Sequence, residues 1–312
     1  MDLSVFFAGT AGSVPTPRRG LPAILLRAGG ERILFDCGEG TQHQLLRSVG
    51  LPDLDAIFIT HLHLDHWLGL PGMIKTFDMR DRETRLELFG PPGFIALFER
   101  VVRPVIGRTG YPLDVIDLEP HEEIGFDEFV IAGFPVQHRV EAFGYAFIED
   151  DRPGRFDAET ATRLGVTPGP DFGRLQRGET VNGVTPEQVM GSDRPGRRIV
   201  YAGDTMPCQT TEVYAADADV LIHEATFTED ERGRARETGH STARQAAQLA
   251  ADANVKLLAL THLSTRYFPR EIRDEARATF ANTVVPRDFD TIEVPFPERG
   301  DPQLVKTELE PA

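Results

Sequence analysis

Three imidazoles and a carboxylate crowd into the seven residues Thr60-His61-Leu62-His63-Leu64-Asp65-His66, which hold three of the nine histidines in the chain. Nothing in folding requires them together. Neutral imidazole nitrogen and carboxylate oxygen suit zinc and its neighbours in the transition series, and a loop that leaves a strand irregularly lets one short segment serve two ions. The apolar run Asp55-Ala-Ile-Phe-Ile-Thr60 that precedes it reads as that strand. The chemistry such a loop offers is metal-ion catalysis.

Four more potential ligands stand in the same kind of place. Phe129 to Val136 leads to His138, Arg197 to Gly203 to Asp204, Asp219 to Ile222 to His223, and Lys256 to Thr261 to His262. Each run is short, apolar and rich in β-branched or aromatic residues, which marks strands whose ends converge on one sheet edge. Arg32 to Phe35 is a further strand and ends at Asp36, which either braces the histidine loop or caps the helix-like stretch Glu39 to Arg47. Thr242 to Ala253 and Arg270 to Asn282 read as helices. Strands alternating with helices in 312 residues, 40% of them hydrophobic, give an α/β fold with a large core.

The His-x-His-x-Asp-His segment with a later His, Asp and His resembles the metallo-β-lactamase superfamily of metal-dependent hydrolases. Phe35-Asp-Cys-Gly-Glu-Gly-Thr-Gln-His-Gln44, Ala202-Gly-Asp-Thr205, His223-Glu-Ala-Thr226, Gly239-His-Ser-Thr242 and Thr261-His-Leu-Ser-Thr-Arg-Tyr267 narrow this. In that order and spacing they resemble ribonuclease Z, the endonuclease family that removes the 3′ trailer from precursor tRNA. The resemblance spans almost the whole chain and implies an αββα four-layer sandwich, as one domain over residues 1–312. It implies one metal on His61, His63 and His138, another on Asp65, His66 and His262, and Asp204 bridging both, with zinc favoured and manganese suited to the same donors. It further implies water attack on phosphorus activated by two metals. Asp65 accepts the proton, His240 protonates the leaving 3′ oxygen, and Glu224 orients His240. The tRNA would end in a 3′ hydroxyl and the trailer would begin with a 5′ phosphate. His223 is not among the ligands and is expected to pack or to support them.

Between the strands ending at Ile148 and beginning at Arg197 lie nearly fifty residues rich in Pro, Gly and Arg, too long for an ordinary connection. Residues 150–195 resemble the flexible, glycine-proline-rich arm, or exosite, with which ribonuclease Z grips the tRNA elbow. From Arg152 to Arg177 five Arg stand against three acids (Asp157, Glu159 and Asp171), a net +2. Arg152, Arg155, Arg174 and Arg177 are the expected RNA contacts there, and Ser264, Arg266 and Tyr267, just past His262, are placed to touch phosphates near the cut. The loop Gly12 to Gly20 lacks the Lys and Asn of a Pro-x-Lys-x-Arg-Asn-like loop in many bacterial relatives, so treatment of CCA-bearing precursors stays open. Arg18 and Arg19 are the expected contacts with the acceptor end.

A formal charge of −16 should repel a polyphosphate. Yet only three of the thirty-three basic residues are Lys, and this acid-rich, Arg-rich composition resembles proteins of salt-loving archaea. At molar salt the Debye length is about 3 Å, so close contacts decide, and the planar guanidinium suits phosphate. The alternative reading is a related hydrolase of small phosphodiesters or sulfate esters, which keeps every ligand and has no use for the arm. A non-catalytic RNA-binding module would not need the full ligand set. No segment approaches the ~20 apolar residues of a membrane span. Met1 to Phe7 has neither the charge nor the length of a signal peptide. Two cysteines make no disulfide framework. The expected place is therefore the cytoplasm, the expected assembly, from the resemblance, a homodimer, and the tail from Pro295 to Ala312 is expected to fray.

Overall fold

A computed structural model describes residues 1–307. Its strands form two sheets. The first runs, in spatial order, Gln303–Val305, Thr291–Glu293, Leu3–Gly9, Ala23–Ala28, Glu31–Phe35, Ala56–Phe58, Leu86–Gly90 and Leu113–Asp117. The second runs Thr283–Val284, Leu257–Thr261, Val220–Glu224, Arg198–Tyr201, Phe143–Glu149, Phe129–Pro135 and Glu123–Gly125.

Alternation along each strand divides its side chains between two cores. In Leu3–Gly9, Val5 and Phe7 turn inward to a cluster shared with Phe129, Ile131, Tyr145, Val220 and Leu257 of the other sheet. Phe6 and Ala8 turn outward beneath Leu45, Met73, Ile74 and Phe77 of the helices Thr41–Ser48 and Leu70–Met79. On the far side Val200, Leu221 and Leu258 meet Ala243, Ala246, Ala247 and Ala250 of the helix Ala243–Asp252, and small side chains let that helix lie close to its sheet. The layers are helix, sheet, sheet, helix.

Thr242 begins this helix as expected: its side chain accepts from Gln245 N while Gln245 reaches back to Thr242 N. The helix expected to reach Asn282 covers only Pro269–Arg277. Arg277 Nε binds Thr283 O, and Thr283–Val284 pairs with the neighbouring strand instead of continuing the helix. The tail also differs from expectation. Gln303–Val305 pairs antiparallel with Thr291–Glu293, and Glu298 makes ion pairs with Arg152 and Arg194. Backbone pairing and a partly covered charge hold this segment, and the rest of that tail, 308–312, lies outside the described residues.

The long insert has two short helices, Ala158–Arg163 and Pro170–Gln176, around a cluster of Ala161, Val166, Leu175, Val181, Val184 and Val189, with Phe156 packed at a tilt against Phe172. Among the described residues no helix is long and apolar enough to cross a membrane.

Candidate metal centre and active site

The two sheets meet at one edge. Phe143 N donates to Thr60 O, and the buried Tyr145 hydroxyl donates to Ile59 O, so the loop after Ala56–Phe58 is tied to the second sheet. On this edge the strand ends deliver His61, His63, Asp65 and His66 from one sheet and His138, Asp204, Glu224 and His262 from the other. His61 Nε2 lies 2.9 Å from His63 Nδ1, which lies 3.4 Å from His138 Nε2. Asp204 Oδ2 sits in the middle, 3.9 Å from His61 Nε2, 3.5 Å from His66 Nε2 and 3.2 Å from His262 Nε2. Asp65 Oδ2 is 3.6 Å from His66 Nε2 and 3.7 Å from His262 Nε2. The groups His61, His63 and His138; His61, His66 and Asp204; and Asp65, His66 and His262 each bring their ligand atoms close enough to share an ion.

The hydrogen bonds behind these rings fix which nitrogen faces inward. His66 Nδ1 donates to Asp36 Oδ2 at 2.8 Å, His262 Nδ1 to Thr226 Oγ1 at 2.9 Å, His138 Nδ1 to Gly239 O at 2.8 Å and His61 Nδ1 to Thr60 Oγ1 at 3.1 Å. In His61, His138 and His262 these partners favour the proton on the outer nitrogen, which leaves the Nε2 lone pair facing other lone pairs and Asp204, while His66 Nε2 faces Asp65 and Asp204. His66 Nε2 and His262 Nε2 are buried without a hydrogen bond despite the nearby carboxylates. Lone pairs facing lone pairs in a buried place are reconciled by a cation, so the donor set fits divalent metal.

The electrostatics agree for three of the rings. Burial, joined by neighbouring imidazoles, holds His61, His63 and His138 below the ordinary histidine value, hence neutral and able to ligate. His66 goes the other way: burial opposes its charge, but Asp36 and Asp204 outweigh that and push it up. A cation beside Asp204 would take over this neutralisation. Asp65 lies at about 2, because His262 and His66 overcome its burial.

Asp36 is fully buried with a left-handed backbone (φ 58°) and accepts from Thr60 N at 2.8 Å, Thr60 Oγ1, His66 Nδ1 and Tyr201 Oη at 2.8 Å. A strained conformation of this kind persists where surroundings over-determine it. Asp36 does not cap the following helix, whose N-cap is Gly40. The opposite carboxylate, Glu224, accepts from His240 Nδ1 at 2.7 Å, Thr205 N at 3.0 Å and Thr226 Oγ1 at 2.5 Å. Burial disfavours a charged His240, yet Glu224 and then Asp204 carry its pKa up to about 9. His223 faces away, its Nδ1 bonded to Glu224 O, and joins no metal-binding group among the described residues.

A cleft of about 410 Å³ opens over this edge, lined by Ser13, His63, Asp65, Arg139, Val140, Asp204, Thr238 and His240. A larger groove, about 790 Å³, runs between the helices Gln209–Ala215 and Ala243–Asp252 and shares no residue with the metal edge. Ser13, Arg139, Val140 and Thr238 were not singled out from sequence. Arg139 follows His138 directly, and that adjacency was the available signal. Its side chain lies over Gly239, where a Cβ would meet Arg139 Cγ at 2.9 Å. Gly12 also holds a tight place, since a Cβ there would meet His262 Nδ1 at 2.8 Å.

The residues expected to contact RNA do not line the cleft. Arg266 Nη1 binds Glu231 Oε1 at 3.2 Å, Tyr267 Oη donates to the same carboxylate, and Ser264 Oγ accepts from Arg266 N. In the insert Arg152 is paired with Glu298, Arg174 with Glu179 and Asp171, and Arg177 with Glu179. Arg155 is exposed and makes no ion pair among the described residues. Arg19 donates to Thr10 Oγ1 and, at 3.0 Å, to Pro286 O, while Arg18 is exposed.

Fold and site define a class, and residues 18–262 match the metallo-beta-lactamase superfamily, to which the chain belongs. A diphosphatase of the PhnP family, 18% identical with a TM-score of 0.66 over 94% of this chain and 98% of that one, shares the fold alone. Ribonuclease Z of Haloferax volcanii is 45% identical over 95% of this chain and 96% of its own length, and that of Archaeoglobus fulgidus 43% over 96% and 100%. Human tRNase Z, short form, superposes with a TM-score of 0.69 at 28% identity over 94% of this chain and 99% of that one. Within the superfamily, the chain belongs to the ribonuclease Z family.

Proposed function

We propose that this chain is a metal-dependent endoribonuclease that removes the 3′ trailer from precursor tRNA. The observation that carries this reading is the ring of inward lone pairs around Asp204, with the His240–Glu224 pair at its rim, in a chain of this family. His61, His63, His138 and Asp204 would hold one ion, and Asp65, His66, His262 and Asp204 the other. The all-nitrogen-and-oxygen, histidine-rich set favours two zinc ions over magnesium and also suits manganese. Such ions would supply Lewis-acid polarisation of the phosphodiester and a water acidified enough to react at neutral pH.

The chain's own residues do the rest. Asp65, ionised at neutral pH, accepts the proton of the attacking water. His240 is held protonated by Glu224 and gives its Nε2 proton to the departing 3′ oxygen, leaving a tRNA 3′ hydroxyl and a 5′-phosphorylated trailer. Arg139, open on the cleft wall, is placed to pair with a phosphate beside the cut. The exposed Arg155 and the fold of the insert support its use as the RNA grip. The resemblance supports a homodimer in which one subunit's insert holds RNA cut by its partner. Two free cysteines and the absence of a long apolar helix among the described residues support a cytoplasmic protein. Hydrolysis of small phosphodiesters as the main task would leave the insert without a purpose.

The test is to incubate pure protein with a precursor tRNA and map the cut to one nucleotide, beside a chelator-treated control. A single metal-dependent cut after the discriminator base is expected. Intact precursor alongside rapid hydrolysis of small diesters would favour the alternative.

A further inference from the structure

The insert leaves the body through a narrow neck. Arg152 and Arg194 face each other there, each donating its backbone N–H to the other's carbonyl at 2.8 Å. Their guanidinium groups converge on one carboxylate from the C-terminal segment. Glu298 Oε1 accepts from Arg152 Nη1 at 2.9 Å and from Arg194 Nη1 at 2.8 Å, while Oε2 accepts from Arg152 Nη2 at 3.2 Å. Charge-assisted, bidentate contacts of this kind are directional as well as strong.

A second contact sets the same neck against the core. The Phe296 ring lies between two guanidinium groups, with Arg152 Cζ 3.7 Å and Arg197 Cζ 4.0 Å from its centroid. Arg197 is fully buried and donates to both Glu149 oxygens, Val294 O and Met1 O. The neck strands leave no slack: a Cβ on Gly154 would meet Gly191 O at 1.9 Å, and one on Gly196 would meet Glu149 O at 1.9 Å. Beyond the neck the insert has its own apolar cluster. It is therefore packed as one unit, and its direction is decided where it is attached.

We propose that Glu298 is a positioning residue, which fixes the angle of the insert on the body and so determines which phosphodiester of a gripped RNA reaches the metal edge. The proposal rests on the reading of the insert as the RNA grip. One carboxylate shared by both neck strands resists rotation, because turning the insert pulls at least one guanidinium away. A grip held at a fixed angle measures a fixed distance along a rigid RNA stem, whereas a swinging grip does not. Arg152, spent on this contact, is then part of the hinge and does not bind phosphate.

The experiment compares Glu298→Ala, Glu298→Gln and Glu298→Asp with the wild-type chain and with a chain whose insert is replaced by a short linker beyond the neck. Each is assayed on a precursor tRNA with cut-site mapping and on bis(p-nitrophenyl) phosphate, with metal content measured. Glu298→Ala and Glu298→Gln are expected to raise KM for the precursor about tenfold or more, because misplacement far from the chemistry is costly, and to spread cutting over neighbouring phosphodiesters. Glu298→Asp should recover part of the loss, and kcat on the small diester should not change in any of them. Equal loss on both substrates would make Glu298 merely structural and overturn the proposal. A lower KM for the precursor would overturn it as well, showing that Glu298 withholds arginines from RNA. Wild-type KM and cut position in Glu298→Ala, beside a crippled insert-less chain, would overturn the proposal and leave the grip standing. An insert-less chain that still cuts precursor normally would remove the grip itself.

Discussion

The metal edge and the insert are both rich in charge and treat it in opposite ways. At the edge, buried imidazole lone pairs and two carboxylates point at one another, and His66 Nε2 and His262 Nε2 lack any hydrogen bond. In the insert, cations meet anions on the spot: Arg174 and Arg177 both pair with Glu179. The first arrangement fits a divalent cation, while the second is nearly neutralised and exposed. Ligand substitutions should therefore act in large, all-or-none steps and single insert arginines in small ones, since exposed pairs contribute little. Counting arginines from Arg152 to Arg177 gives a surplus of cations, but the acid that takes two of them up lies just beyond that window.

The largest effect expected is for Asp204→Asn. Removing the carboxylate common to both clusters should lower cleavage by roughly 10³-fold or more, since a metal ion supplies several kcal/mol to such a transition state, and should strip metal from the protein. Retained turnover at unchanged metal content would break the comparison. Next, His240→Ala should slow precursor cleavage by about 10²- to 10³-fold, a range typical of a lost general acid, with metal content near normal.

Stability at the base of the insert comes third. Glu149→Gln leaves the fully buried Arg197 short of its counter-ion, and breaking such a pair costs about 3–5 kcal/mol. Burial opposes the charge of Glu149, but Arg197 hydrogen bonds hold its pKa below the ordinary glutamate value. Its contribution is therefore complete above the unfolded-state value and lost as pH falls through the folded one. Melting curves should show wild type ahead of Glu149→Gln at neutral pH and the gap closing in acid; a gap independent of pH would remove the ion pair from the account. Asp36→Asn, which weakens the brace on His66, should reduce metal affinity about 10- to 100-fold, read by chelator competition. Smallest of all, Arg155→Ala should raise KM for the precursor by only a few fold, and a loss as large as that of His240→Ala would show that one insert arginine dominates RNA binding.

The same contrast explains what the sequence made legible. Strand runs ending in His138, Asp204 and His262 could be read because strand ends are short, apolar and abruptly polar, and the spatial meeting of those ends follows from pairing within a sheet. The partner of Asp36 was ambiguous in sequence because an acid before a helix suits a cap equally well. Gly40 supplies the helix start, and the left-handed turn at Asp36 swings its carboxylate to Thr60 and His66. Thr226 was hidden inside the His-Glu-Ala-Thr motif, since a threonine hydroxyl that accepts from His262 Nδ1 and donates to Glu224 Oε2 has no local signature. In the insert, Asp157 caps Ala158–Arg163 by accepting from Thr160 N, but one capping pair is faint amid so much Pro and Gly. The tail misled for a related reason: Gln303–Val305 is three residues long, and only its neighbour Thr291–Glu293 makes it a strand.

The proposed chemistry needs two cations to meet at Asp204. Stripping the protein with chelator and returning zinc in measured steps, with bound metal and precursor cleavage followed together, tests this most directly. Cleavage is expected to return as binding approaches two ions per chain and to stop rising there. Full cleavage at one ion per chain, or in the metal-free protein, would contradict it.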